Sequence, residues 1–212
     1  SAAVPSPTRF RSPGRSPAWE GGGPGLGGAS VLAASTGVGT RFGLVVHRYL
    51  QGHSWPAAAD LEEGSLLPLA ISIEPDETVR REAFTYLQQA LQKPDIRAAL
   101  SEPDENKNGD EWEVWREREF CVVLTDERGP ATWRGSFDRV LLQRKNGKLV
   151  SAIVQDYKTD KVDADTVESR VDYYTPQLRA YRSALSSMTD LAPEAITAQL
   201  LFLGAGIVRD VG

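Results

Sequence analysis

Asp156 and Lys158 stand two residues apart in Gln155-Asp-Tyr-Lys158, at the end of an apolar run. Side chains alternate along a strand, so both leave it on the same face. A third charged group, Asp138, closes Gly135-Ser-Phe-Asp138 at the start of the preceding apolar run. Two carboxylates and an amine at the tip of an interior hairpin are costly unless their charges find partners. One reading is a salt bridge between Lys158 and either aspartate. The other is an oxygen-liganded Mg²⁺ held by Asp138 and Asp156, with Lys158 beside the attacking water. Such an ion orients water, lowers its pKa and offsets charge building on a phosphate.

Whether the carboxylates meet depends on the hairpin between them. A two-residue Asn146-Gly147 loop sets Asp156 opposite Phe137 and sends Asp138 to the other face. A three-residue Lys145-Asn-Gly147 loop sets Asp156 opposite Ser136 and Asp138 opposite Val154. The second register, or an equivalent bulge, is the one adopted. It gathers Asp138, Val140, Leu142, Ala152, Val154, Asp156 and Lys158 on one face. Phe137, Leu141, Leu149, Ile153 and Tyr157 take the other.

The elements around this hairpin follow from periodicity. Phe42, Val45, Val46, Tyr49 and Leu50 mark a helix over 40–51, and Val79, Ala83, Phe84, Leu87 and Leu91 a second over 75–92. A short helix over 96–100 and a polar loop over 102–110 precede three predicted strands, 112–125, 133–144 and 148–158. A helix containing Gln177 to Leu185 follows, beginning or kinking at Pro176, then an apolar strand over 195–203. This order predicts an α/β fold with a mixed sheet, an antiparallel meander at its centre and helices packed against it. Residues 1–35, rich in Gly, Pro and Ser, read as a flexible linker or tail, and 36–212 as the folded unit.

The chain has 212 residues, of which 41% are hydrophobic and 25% charged, enough for one domain with a real core. Its lone Cys121 excludes a disulfide framework and an iron–sulfur cluster, which need several thiolates. No apolar run is long enough to span a membrane and no signal peptide opens the chain, so the expected compartment is the cytoplasm. No phosphate-binding loop of the Gly-x-x-x-x-Gly-Lys type is present, hence no motor of its own.

Five segments in order resemble the PD-(D/E)XK nuclease superfamily, in the form carried by the C-terminal nuclease domain of the RecB and AddA helicase–nucleases. They are Gly43-Leu-Val-Val-His47, Glu117-Arg-Glu-Phe120, Gly135-Ser-Phe-Asp138, Asp156-Tyr-Lys158 and Tyr174-Thr-Pro-Gln177-Leu-Arg-Ala-Tyr181. The final Gln199-Leu-Leu-Phe-Leu203 strand fits as well, so the likeness covers roughly 40–212. The resemblance implies a restriction-endonuclease-like core. It also implies a Mg²⁺ site, with Mn²⁺ as an alternative, formed by His47, Asp138, Asp156 and the Tyr157 carbonyl. By the same likeness Lys158 positions or activates water, Gln177 and Tyr181 border the site and the DNA strand, and Glu117 is a candidate supporting acid. The implied activity is DNA hydrolysis, exonucleolytic, in double-strand-break repair. DNA and an upstream helicase are the implied partners. A catalytically inactive scaffold and a free-standing restriction or phage-type nuclease are the alternatives, and the retention of both Asp, Lys158 and His47 favours activity.

The formal net charge of −5 looks adverse for a DNA enzyme, but it is unevenly spread. Acids dominate residues 60–128, whereas bases outnumber acids in 134–182, and phosphate responds to the local field. A positive groove around Lys158, Arg179 and Arg182 is therefore expected, with Arg179 and Arg182 contacting DNA.

Overall fold

A computed structural model describes residues 37–103, 110–126 and 129–212. The predicted linker over 1–35, the centre of the polar loop and the tip of the first hairpin lie outside the described residues. Helices α1 (Gly37–Gln51), α2 (Glu63–Leu66), α3 (Glu77–Gln92) and α4 (Pro94–Leu100) lead into strands β1 (Asp110–Asp126), β2 (Gly129–Lys145) and β3 (Lys148–Lys158). Helix α5 (Val167–Thr189) then connects to β4 (Ile196–Phe202) and β5 (Ile207–Val211). The five strands form one sheet in chain order, antiparallel except for the parallel pair β3–β4. A parallel neighbour requires a crossover, and α5 supplies it. This is the mixed α/β architecture of a restriction-endonuclease-like core.

Two apolar layers sandwich the sheet. On one side Val45, Val46 and Tyr49 of α1 pack with Leu87 and Leu91 of α3, Ile96 of α4, and Tyr157 and Leu201 from the strands. On the other, Leu178, Tyr181 and Leu185 of α5 cover Val140, Leu142, Val154, Leu200 and Phe202. Asp76 starts α3 by accepting the Thr78 amide at 2.8 Å. Arg139 is the largest fully buried side chain. Its guanidinium donates to Gln155 Oε1 and Ser54 O, both at 2.7 Å, and lies over the Trp55 ring. It thereby fastens the segment following α1 to the middle of the sheet.

The β2–β3 hairpin corrects the sequence reading in detail. Its loop is two residues long, not three: Lys145 pairs with Lys148, and Asn146 and Gly147 both take positive φ, 52° and 76°, as a tight primed turn requires. Val150 is then an extra residue on β3, since Arg144 pairs with Leu149 and Gln143 with Ser151. Beyond this bulge Val154 pairs with Val140, not Asp138, and Gln155 with Arg139. Carried one residue further, the register sets Asp138 level with Asp156 rather than Ser136 with Asp156. The ladder stops before that level, so the two carboxylates flank the parting of the strands and are not a cross-strand pair.

One further expectation fails, and of the two readings at Pro176 a helix start there is ruled out. Phe137 and Leu149 pack on the α5 side with Val140 and Leu142, not with Leu141 and Tyr157. Regular alternation cannot put Phe137 and Val140 on one side. The paired strands β1 and β2 change facing at the level of Glu117 and Asp138, where Glu117 adopts φ 45°. Helix α5 does not begin at Pro176 but runs through it from Val167. The apolar stripe Val167, Tyr174, Leu178, Tyr181 and Leu185 buried against the sheet offsets the lost N–H. Strand β5, absent from the sequence reading, closes the sheet beside β4.

Candidate active site

Pairing between β2 and β3 is continuous from the hairpin to Arg139 and Gln155, just short of the two aspartates. Asp138 and Asp156 therefore flank the point where the strands part. One helical layer brings His47 into this fork and the other brings Gln177 and Tyr181. Gly43, one turn before His47, lets α1 come close to the chain after β3. A Cβ there would lie 3.2 Å from Thr159 Oγ1.

The first group gathers around His47. Its Nδ1 lies 3.4 Å from Asp138 Oδ1 and 3.8 Å from Glu117 Oε1, and its Nε2 lies 3.2 Å from the Tyr157 carbonyl. Asp138 is held by its other oxygen, which accepts the Tyr157 amide at 2.8 Å. Burial disfavours charge on His47, but Asp138 and Glu117 outweigh it and raise the imidazole pKa from 6.5 to about 10. Burial likewise pushes Asp138 upward, and the His47 charge, Lys158 and the Tyr157 amide reverse it to a lowered pKa. The imidazolium and Asp138 thus form an ion pair with Glu117 close by.

The second group centres on Asp156, which is buried. Lys158 Nζ lies 2.6 Å from its Oδ2, a charge-assisted contact that pairs the buried carboxylate with the ammonium. Burial raises the Asp156 pKa to about 6. Lys158 opposes this and the Asp138 charge adds to it. Gln177 bridges the pair, its Oε1 accepting from Lys158 at 3.3 Å and its Nε2 lying 3.4 Å from Asp156 Oδ1. The same Nε2 donates to the Tyr181 hydroxyl at 2.9 Å. Burial raises the Tyr181 pKa well above 10.0, so the hydroxyl stays protonated. Lys158 also lies 4.1 Å from the centre of the Tyr174 ring, and Tyr174 donates to Asp160.

The structure thus brings His47, Glu117, Asp138 and the Tyr157 carbonyl into one cluster, and Asp156, Lys158, Gln177 and Tyr181 into an adjoining one. It does not bring Arg179 and Arg182 there. Arg179 donates to the Gly212 carbonyl and Arg182 to the Pro193 carbonyl, beside the start of β4. Tyr174, read from sequence only as the opening of the Tyr-x-x-Gln motif, proves to floor the Lys158 ammonium.

The donor set suits a hard dication. Ligand atoms of His47, Glu117 and Asp138 all lie within 4.8 Å of one another. The buried Asp156 carboxylate, already paired with Lys158, lies beside them and adds further hard oxygens. Among the described residues, no helix is long and apolar enough to cross a membrane.

The family model described as the PD-(D/E)XK nuclease superfamily matches residues 28–211, which takes in every strand and every residue of both clusters. No curated protein matches the chain. With a match over most of its length, the chain belongs to the PD-(D/E)XK nuclease superfamily.

Proposed function

We propose that this chain is a Mg²⁺-dependent deoxyribonuclease of the RecB/AddA type, an exonucleolytic module that works behind a helicase in cytoplasmic double-strand-break repair. The observation that supports it is the union, at one strand fork, of an ion-pairing His47–Glu117–Asp138 cluster with a buried Asp156–Lys158 pair. Mg²⁺, or Mn²⁺ in its place, would be held by His47, Asp138, Asp156 and the Tyr157 carbonyl, with Glu117 in support. When bound, the cation supplies charge neutralisation and water activation.

The chain's own groups do the rest. The Tyr157 amide fixes the rotamer of Asp138, so that its second oxygen is presented to the fork. Asp156, Gln177 and the Tyr174 ring hold the Lys158 ammonium from three sides. That placement lets it hydrogen-bond the attacking water and stabilise negative charge on the phosphate. Tyr181 accepts from Gln177 Nε2, which orients the amide, and its hydroxyl remains protonated.

Linear and covalently closed circular DNA incubated with the purified chain and Mg²⁺ test this. Degradation of the linear form alone, leaving 5′-phosphates, is expected of an exonuclease. Equal attack on the circle would make it an endonuclease.

A further inference from the structure

Helix α5 does more than supply Gln177 and Tyr181. Arg170, Tyr173, Tyr174, Gln177 and Tyr181 recur at three- and four-residue spacings, so they form one continuous stripe along the helix. Its outer end is open and its inner end covered: Tyr173 is 48% exposed, Gln177 is half-buried, and Tyr174 and Tyr181 are each 8% exposed. The stripe therefore runs from solvent into the fork.

The contacts along it are continuous as well. The Tyr173 ring meets the edge of Tyr174 at 5.0 Å between centres, and Tyr174 lies beneath Lys158 Nζ at 4.1 Å. The Arg170 guanidinium flanks the other end, 5.9 Å from the Tyr173 ring. Tyr174 has both a burial role and a bond to Asp160. Tyr173 belongs to neither apolar layer and makes no side-chain hydrogen bond among the described residues. A half-exposed aromatic ring beside a cation, one ring away from the catalytic ammonium, has the make-up of a stacking platform.

We infer that Tyr173 stacks an unpaired nucleobase of the strand whose phosphate lies at Lys158, with Arg170 meeting that nucleotide's backbone. This rests on the nuclease reading above and narrows its substrate to single-stranded DNA at the site. A paired base keeps its faces against its neighbours, whereas an unpaired base offers a free face to the ring.

Binding is measured by fluorescence anisotropy on a labelled oligothymidylate of about twelve residues, without divalent metal, and repeated with an abasic residue at each position in turn. For the wild-type chain, one abasic position is expected to weaken binding roughly 5- to 150-fold. Tyr173→Ala should weaken binding of the intact strand by the same factor and become insensitive to that position. Tyr173→Trp should retain both affinity and sensitivity. In cleavage assays with Mg²⁺, Tyr173→Ala should raise KM on the single strand while kcat holds.

Wild-type affinity in Tyr173→Ala, an undiminished abasic penalty in it, or no binding by the wild-type chain would each overturn the platform. The two readings separate cleanly. Absence of cleavage by the wild-type chain strikes the nuclease reading, while the abasic binding series still decides whether Tyr173 stacks a base.

Discussion

Tyr157 donates its amide to Asp138 Oδ2 at 2.8 Å and turns its carbonyl to His47 Nε2 at 3.2 Å. One peptide segment of β3 therefore sets both the β2 carboxylate and the α1 imidazole. Its own ring is buried beneath α1 and meets the His47 ring edge-on at 5.6 Å. Packing on the helical side is in this way coupled directly to the geometry of the charged groups.

That coupling separates two substitutions at Asp138. Asp138→Asn loses the ion pair with His47 but keeps an oxygen for the Tyr157 amide, so it should melt above Asp138→Ala. Asp138→Ala leaves that buried N–H unpaired, at about 1–3 kcal/mol. Both should lose at least about a hundredfold in cleavage, since even partners of metal ligands are worth 10–100-fold. Thermal melts run beside activity assays check this, and equal stability of the two variants would contradict it.

Lys158→Met should destabilise the protein in a pH-dependent way. Asp156 titrates near about 6 in the fold against 3.8 normally, so its ionisation subtracts from stability as pH rises across that interval. Removing the nearby ammonium raises the folded pKa further, widening the window. The variant should unfold nearly like the wild type below about pH 4, and lose about 3–5 kcal/mol or adopt a protonated Asp156 near pH 8. Denaturant midpoints at the two pH values measure it. A loss independent of pH would mean that Asp156 does not carry the effect.

Metal loading should release a proton. The imidazole of His47, with its pKa raised to about 10, is protonated at pH 7.5 until a cation replaces that proton. Calorimetric titration with Mn²⁺ in two buffers of different ionisation enthalpy should report about one proton displaced. A His47→Gln variant should lose that release. Heats that do not depend on the buffer would rule out His47 as a ligand.

Gly135, the first residue of the Gly-Ser-Phe-Asp segment, matters through packing. A Cβ there would fall 2.7 Å from Phe120 Cζ, and Phe120 is stacked on Phe137 at 4.5 Å and abuts Tyr181. Gly135→Ala should push this aromatic group toward Tyr181 and disturb Gln177, lowering kcat more than it raises KM. Its stability cost should be about 1–3 kcal/mol, read from a melt. Unchanged kinetics would show that the ring cluster does not transmit to the site.

Local patterns in the sequence marked several residues that the structure gathers at the fork. Asp-x-Lys on a strand, a histidine one turn after a glycine, and Gln177 with Tyr181 at helical spacing are local patterns, and the structure places each of them at the fork. What the sequence hid depends on distant partners. The bulge at Val150 restores the even pairing that brings the aspartates level, but nothing local distinguishes it from a longer loop. The change of facing at Glu117 needs the paired strand, and α5 tolerates Pro176 only because its other residues are buried against the sheet. Arg139 follows Asp138 directly, and no local pattern marks it as buried. The carbonyls of Ser54, Ala99 and Leu100 and the Gln155 amide oxygen converge on it and make it an interior tie.

The central claim is that Asp156 belongs to a metal-dependent nuclease centre. Its most direct test is cleavage of end-labelled single-stranded DNA by wild-type chain and Asp156→Asn, with Mg²⁺ and with EDTA. Cleavage by the wild type in Mg²⁺, abolished by EDTA and reduced at least about a hundredfold in a folded Asp156→Asn, is the predicted result. Cleavage that survives EDTA, or a variant as active as the wild type, would contradict it.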